Sequence, residues 1–169
     1  GFNSFFASAL DGTQERSLGG MWGGSLLRFM PDSEHVLALG RQVEGSAVYS
    51  LQRIALADGV AEEIAAGSWL SDVALSPGAS WVAYMVSLDR EQADANGIWL
   101  APTEPKRGPP RKLELPGAYR WRDDNRLVYI PLLPGAPAHA VLQFDALLGK
   151  SSVLLDLSLI HISEPTRPY

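Results

Sequence analysis

The 169-residue sequence predicts an all-β fold, an incomplete β-propeller of about three four-stranded antiparallel blades plus part of a preceding blade. Three observations predict it. Turn motifs recur every 46 residues, and each is followed by an apolar run too short for a helix. Sixteen Gly and twelve Pro then divide the chain so finely that no segment approaches the ~18 apolar residues of a membrane span.

The turns are Phe29-Met30-Pro31-Asp32, Leu75-Ser76-Pro77-Gly78 and Trp121-Arg122-Asp123-Asp124, each an apolar residue entering Pro, Asp or Gly. The runs after them, 36–39, 82–85 and 127–130, are rich in β-branched and aromatic residues and read as second strands. Their hydrophobicity is continuous rather than alternating, as in strands whose sheet is covered on both faces. Third strands follow at 48–54, 97–101 and 141–144, with an earlier copy at 4–10 running into Asp11-Gly12. Asp58-Gly59 and Gly149 repeat that hairpin signal, because Gly supplies a positive φ without steric cost. Fourth strands at 16–18, 61–64, 112–115 and 153–155 are more polar and suit a sheet edge.

This organisation makes residues 1–156 a partial propeller, with a blade remnant at 1–20 and blades at about 21–67, 68–117 and 118–156. Closed rings take roughly 4–8 blades, so the sequence reads as a piece of a larger ring. An opening at Gly1 without Met or a leader pattern agrees with that expectation. Two terminal blade faces, lined by 36–39 and 127–130, are then left bare, and self-association of the chain follows.

Composition narrows the function. Fourteen basic against nineteen acidic residues give a net charge of −5, and no basic stripe favours a nucleic-acid partner. The absence of cysteine removes disulfides, thiolate catalysis and Cys-ligated zinc.

The repeats resemble the TolB-like, WD-type propeller family, whose blades carry a Trp-Ser-Pro-Asp-Gly turn before a strand ending in Ala-Tyr or Ala-Phe. Ser76-Pro77-Gly78 with Trp81-Val82-Ala83-Tyr84 keeps Ser-Pro and the strand, Met30-Pro31-Asp32 keeps Pro-Asp, and Trp121 with Asp123-Asp124 keeps the Trp and the acid. The resemblance implies a bacterial, periplasmic or extracellular scaffold that binds a protein or small-molecule ligand. A similar propeller precedes the hydrolase domain in the prolyl oligopeptidase family, so the alternative is a gating propeller of such a serine peptidase, its catalytic domain lying outside this chain.

Residues 157–169, LSLIHISEPTRPY, break the repeat. Leu157 through Arg167 match, residue for residue, an in-frame translation of the transposase adapter of a common sequencing-library method. The native chain is therefore expected to end near Asp156, and His161, Glu164 and Tyr169 carry no functional argument.

No catalytic, cofactor-binding or metal-binding residue is expected. His35 and His139 read as solvated histidines at strand ends without a triad pattern. Gly24-Ser25, Gly45-Ser46 and Gly67-Ser68 lack the second Gly of a nucleophile elbow. Glu62-Glu63 reads as a solvated edge, and Asp123-Asp124 as turn residues bonding their own backbone. The 89–97 loop lacks the alternating ligands of a calcium loop. Trp22, Trp69, Trp81, Trp99 and Trp121 are assigned to core packing rather than a binding cage, and the run 19–24 to a crossing between blades. The Pro-rich basic stretch 102–112 is a rigid solvated turn.

Overall fold

A computed structural model describes residues 1–87, 93–113, 117–131 and 140–156. Of these, 61% lie in strands and 4% in helix, so the molecule is all-β. The first sheet runs in the order β1 (Phe2–Ala7), β2 (Arg16–Phe29), β3 (His35–Arg41), β4 (Val48–Ala55), β5 (Ala61–Ser68). The second contains β6 (Ser71–Leu75), β7 (Trp81–Val86), β8 (Gly97–Pro102) and β9 (Arg111–Lys112). The third contains β10 (Gly117–Trp121), β11 (Arg126–Pro131), β12 (Ala140–Asp145) and β13 (Lys150–Asp156). Within each sheet every strand pairs antiparallel with its neighbour in sequence, as hairpin connections require.

Why the second strands are apolar throughout is visible in β7. Val82, Tyr84 and Val86 point into a core shared with Leu37 and Leu51 of the first sheet. Ala83, with Trp81 and Met85 at the margin, points into a core shared with Leu127, Tyr129 and Phe144 of the third. Successive side chains alternate faces, and both faces are buried, so both phases of the period are filled. Each fully buried Val or Leu of this kind contributes about 1.5–3 kcal/mol.

The turn before each second strand is also a repeated object. Met30 N–H donates to His35 O at 2.9 Å and Ser76 N–H to Trp81 O at 2.8 Å. Ser33 and Ala79, 46 apart, adopt φ of 58° and 57° in these two turns, a left-handed conformation that side chains other than Gly adopt at a cost. In the third turn Arg122 N–H donates to Arg126 O at 2.8 Å, one residue shorter, which is why Leu127 follows Val82 by 45 rather than 46.

Two expectations are corrected in the first sheet. The run 19–24 is not a crossing loop but lies inside β2, a single strand that pairs with β1 through its first half and with β3 through its second. Register breaks between Trp22 and Ser25 and between Leu26 and Arg28 bend it. The bend needs glycine: a Cβ on Gly24 or on Gly40 would lie 2.6 Å from the Met21 Cβ. The bend lays Phe5, Leu18 and Met21 against Val36, Ala38 and Ile54. The face of 36–39 is consequently not bare, with Val36 1% and Ala38 0% exposed. The opening hairpin covers it as a neighbouring blade would.

The opposite end differs. On the third sheet's outer face Val128 and Val141 are half-buried, while Ile130 is 40% and Leu155 50% exposed. Of the fourth strand expected at 112–115, Glu114 and Leu115 lie outside the described residues, as do the 157–169 tail and His139.

Candidate functional site

The inner strands β2, β6 and β10 come from three different turns of the repeat, and a groove of about 560 Å³ runs along them. Leu27 and Arg28 form one wall, Val73, Ala74 and Pro77 the floor, and Arg120 with Trp121 the other wall. A second hollow of about 410 Å³ continues it past Asp72 and Gly117.

Among the described residues β6 pairs only with β7, so its other edge presents backbone groups outside the ladder. Side chains of β10 bond two of its carbonyls. The Tyr119 hydroxyl donates to Asp72 O at 2.5 Å, and the Trp121 indole N–H donates to Ala74 O at 2.8 Å. Asp72 stands at φ 51° beside a register break in β6, which turns its carbonyl out of the ladder. Burial, with the Asp72 charge second, pushes the Tyr119 phenol well above its ordinary range, so it remains a donor.

A carboxylate fastens the same two sheets below the groove. Asp124 Oδ1 accepts from the Ser76 hydroxyl at 2.6 Å and the Gly78 N–H at 2.9 Å, and Oδ2 accepts from the Ser80 hydroxyl at 2.7 Å. Desolvation opposes ionisation, yet the bonds from Ser76, Ser80 and Gly78 outweigh it and hold the carboxyl below its ordinary value. A Cβ on Gly78 would lie 2.9 Å from this carboxylate, so Gly replaces the motif's Asp where the next blade's acid must enter. Turn capping, the role expected for both acids, belongs to Asp123 alone, which accepts from the Asn125 and Arg126 N–H groups at 3.0 and 2.9 Å. Asp124 was legible as an acid in a turn, but nothing in its neighbours announces a partner 48 residues away.

Arg28 and Arg120 take part in no ion pair among the described residues. The groove of an acidic chain thus carries two guanidinium groups without an ion-pair partner among the described residues, with Asp72 in the adjoining hollow. The tryptophans divide: Trp81, Trp99 and Trp121 pack on the cores, and Trp22 meets Phe2 edge-on at 5.4 Å. Trp69 departs from the core-packing expectation. It is 52% exposed at φ 45°, beside Tyr49.

The other candidates are placed as follows. His35 is not isolated: its Nδ1 lies 2.8 Å from Asp32 Oδ2 and 3.1 Å from Arg53 Nη2, and Arg53 in turn meets Glu62 at 3.4 Å. No described serine bonds to this histidine. Glu63 faces the other way and accepts from the Ser50 hydroxyl at 2.7 Å. Within 102–112, Arg107 is clamped by Glu104 at 3.0 Å through two bonds. Of the 89–97 loop, 89–92 lie outside the described residues. Among the described residues no three His, Asp or Glu side chains gather as a metal site.

Stacked four- and five-stranded antiparallel sheets with inner strands along one groove define a β-propeller segment. Solved structures agree on this fold. The chain is similar to the β-propeller domain of the Trilobed protease from Pyrococcus furiosus, with TM-score 0.64 and 14% identity over 90-odd per cent of this chain (91%) and 48% of that one. It is similar to an oligogalacturonate lyase in complex with manganese, with TM-score 0.59 and 17% identity over 90% of this chain and 48% of the lyase. TolB from Acinetobacter baumannii matches with TM-score 0.51 and 14% identity over 89% of this chain and 37% of that one. The chain therefore spans about half the length, or less, of the proteins it matches. No family model and no curated protein sequence matches it.

Proposed function

We propose that this chain is part of a propeller scaffold that binds a protein or small-molecule ligand along its inner strands and performs no chemistry of its own. The observation that carries the reading is the pair Arg28 and Arg120, contributed by separate sheets to one groove and unpaired among the described residues. Guanidinium groups favour carboxylate or phosphate oxygens through charge-assisted, paired bonds, and Trp121 beside them offers a flat apolar surface. An anionic segment of a ligand fits that chemistry. In this reading the blades occupy about 21–67, 68–117 and 118–156, and residues 157–169 are non-native.

The test is fluorescence anisotropy with a dye-labelled hexaglutamate peptide. The Arg28→Ala/Arg120→Ala variant is expected to bind it about tenfold more weakly, an effect of about 1.4 kcal/mol. Equal affinity of the variant and the parent would overturn the proposal.

A second reading is favoured by the likeness to a protease propeller domain: the blades gate a serine peptidase whose catalytic domain is encoded elsewhere in the same frame. Extending the reading frame in the source DNA separates the two. A downstream Gly-x-Ser-x-Gly elbow followed by Asp and His supports the peptidase. An upstream leader or anchor with further blades supports the binding scaffold.

A further inference from the structure

The first and second sheets share a core, but between β5 and β8 a pocket of about 260 Å³ remains. It exists because β5 presents Ala65 and Gly67 toward Tyr84, Val86 and Trp99, small residues where the blades elsewhere meet through large ones. Among the described residues no charged side chain lines it. The Trp99 indole N–H is already bonded to Ala95 O at 2.7 Å, which fixes that wall.

Tyr84 is the exception to the wall's saturation. The residue is 2% exposed, and its hydroxyl has no hydrogen-bond partner among the described residues. Among the described residues the fully sealed polar atoms without a partner are Arg41 Nε and Arg53 Nε, so the Tyr84 oxygen keeps some accessible surface. Tyr84 is at the same time one of the residues that line the pocket. Its counterpart in the next blade, Tyr129, shows what the repeat normally does with this group: that hydroxyl is bonded to Ser151 Oγ at 3.1 Å. Burial alone pushes the Tyr84 phenol well above its ordinary range, so it stays protonated and can donate. A hydroxyl on a buried ring without a protein partner gains a hydrogen bond when a bound acceptor meets it.

We propose that this pocket is a binding site for a small neutral ligand with an apolar, ring-sized body and one hydrogen-bond acceptor, taken by the Tyr84 hydroxyl. Size supports a single substituted ring, since an apolar cavity of about 150 Å³ takes up benzene. A lining without charge among the described residues favours a neutral ligand over an ionised one, which would lose hydration without compensation.

Acetophenone and ethylbenzene, nearly alike in shape but differing in the acceptor, are the probes, titrated against the full chain by ligand-observed saturation-transfer NMR. Acetophenone binds the parent, and Tyr84→Phe weakens it about tenfold while leaving ethylbenzene within about twofold, as loss of one buried hydrogen bond requires. Ala65→Leu, which fills the space, abolishes binding of both. Because Tyr84→Phe only removes an unsatisfied group, its fold is not at risk. Arg28→Ala/Arg120→Ala leaves both probes unaffected, which separates this site from the inner groove. Acetophenone affinity unchanged by Tyr84→Phe, or no saturation transfer to either probe at about 10 mM, where even a millimolar site is nearly filled, would overturn the proposal and leave the pocket to water.

Discussion

Replacing Asp124 by Ala removes three acceptor contacts at once, but they differ in weight. Ser76 is 1% exposed, so its hydroxyl cannot turn to water when the carboxylate 2.6 Å away is deleted. An abandoned buried donor costs about 1–3 kcal/mol. Ser80 is half-buried and the Gly78 backbone exposed, and both recover much of their loss from solvent. The net expectation is a loss of about 2 kcal/mol, or roughly 4–8 °C in melting temperature for a domain of this size. Urea unfolding followed by tryptophan fluorescence measures it, at two protein concentrations so that association does not enter. A double-mutant cycle with Ser76→Ala isolates the pair, and a coupling of about 1 kcal/mol or more is expected. A loss below about 0.5 kcal/mol, the range of ordinary surface changes, or strict additivity in the cycle, would refute the latch between the second and third sheets.

The same carboxylate predicts a pH dependence. Its folded value lies below the ordinary 3.8, so its contribution is complete above that value and disappears as pH falls through the lowered one. The stability gap between the parent and Asp124→Asn should therefore close below about pH 3.8 and stay constant above about pH 5; a gap that widens in acid would contradict the assignment. Ser33→Gly, relieving φ 58° at an exposed turn, should raise stability by about 0.5–1 kcal/mol in the same urea assay. The third sheet's outer face should drive association of the chain, and Ile130→Lys/Leu155→Lys should reduce it in light scattering, since both side chains are at least 40% exposed there. A parent chain that is monomeric at all concentrations would remove the basis for that expectation.

What could be read without coordinates was whatever the chain writes locally. The 46-residue recurrence, the hairpin turns and the filled second strands are properties of neighbouring residues, because strand pairing in a meander joins segments adjacent in sequence. β3, β7 and β11 contain the runs 36–39, 82–85 and 127–130 for that reason. Only the tertiary structure decided what crosses from blade to blade. Asp124 finds Ser76, Trp121 finds Ala74, and Arg28 shares a groove with Arg120, over separations of 48, 47 and 92 residues. Those meetings depend on how far one sheet is rotated and stacked on the next, which no local pattern encodes. The bend of β2 is of the same kind: its glycines are plain in the sequence, but they become a strand rather than a loop because Phe5, Leu18 and Met21 gain burial by folding onto Val36 and Ala38. The pocket under Tyr84 depends on the small residues of β5 arriving opposite it, and that register is set by packing between sheets.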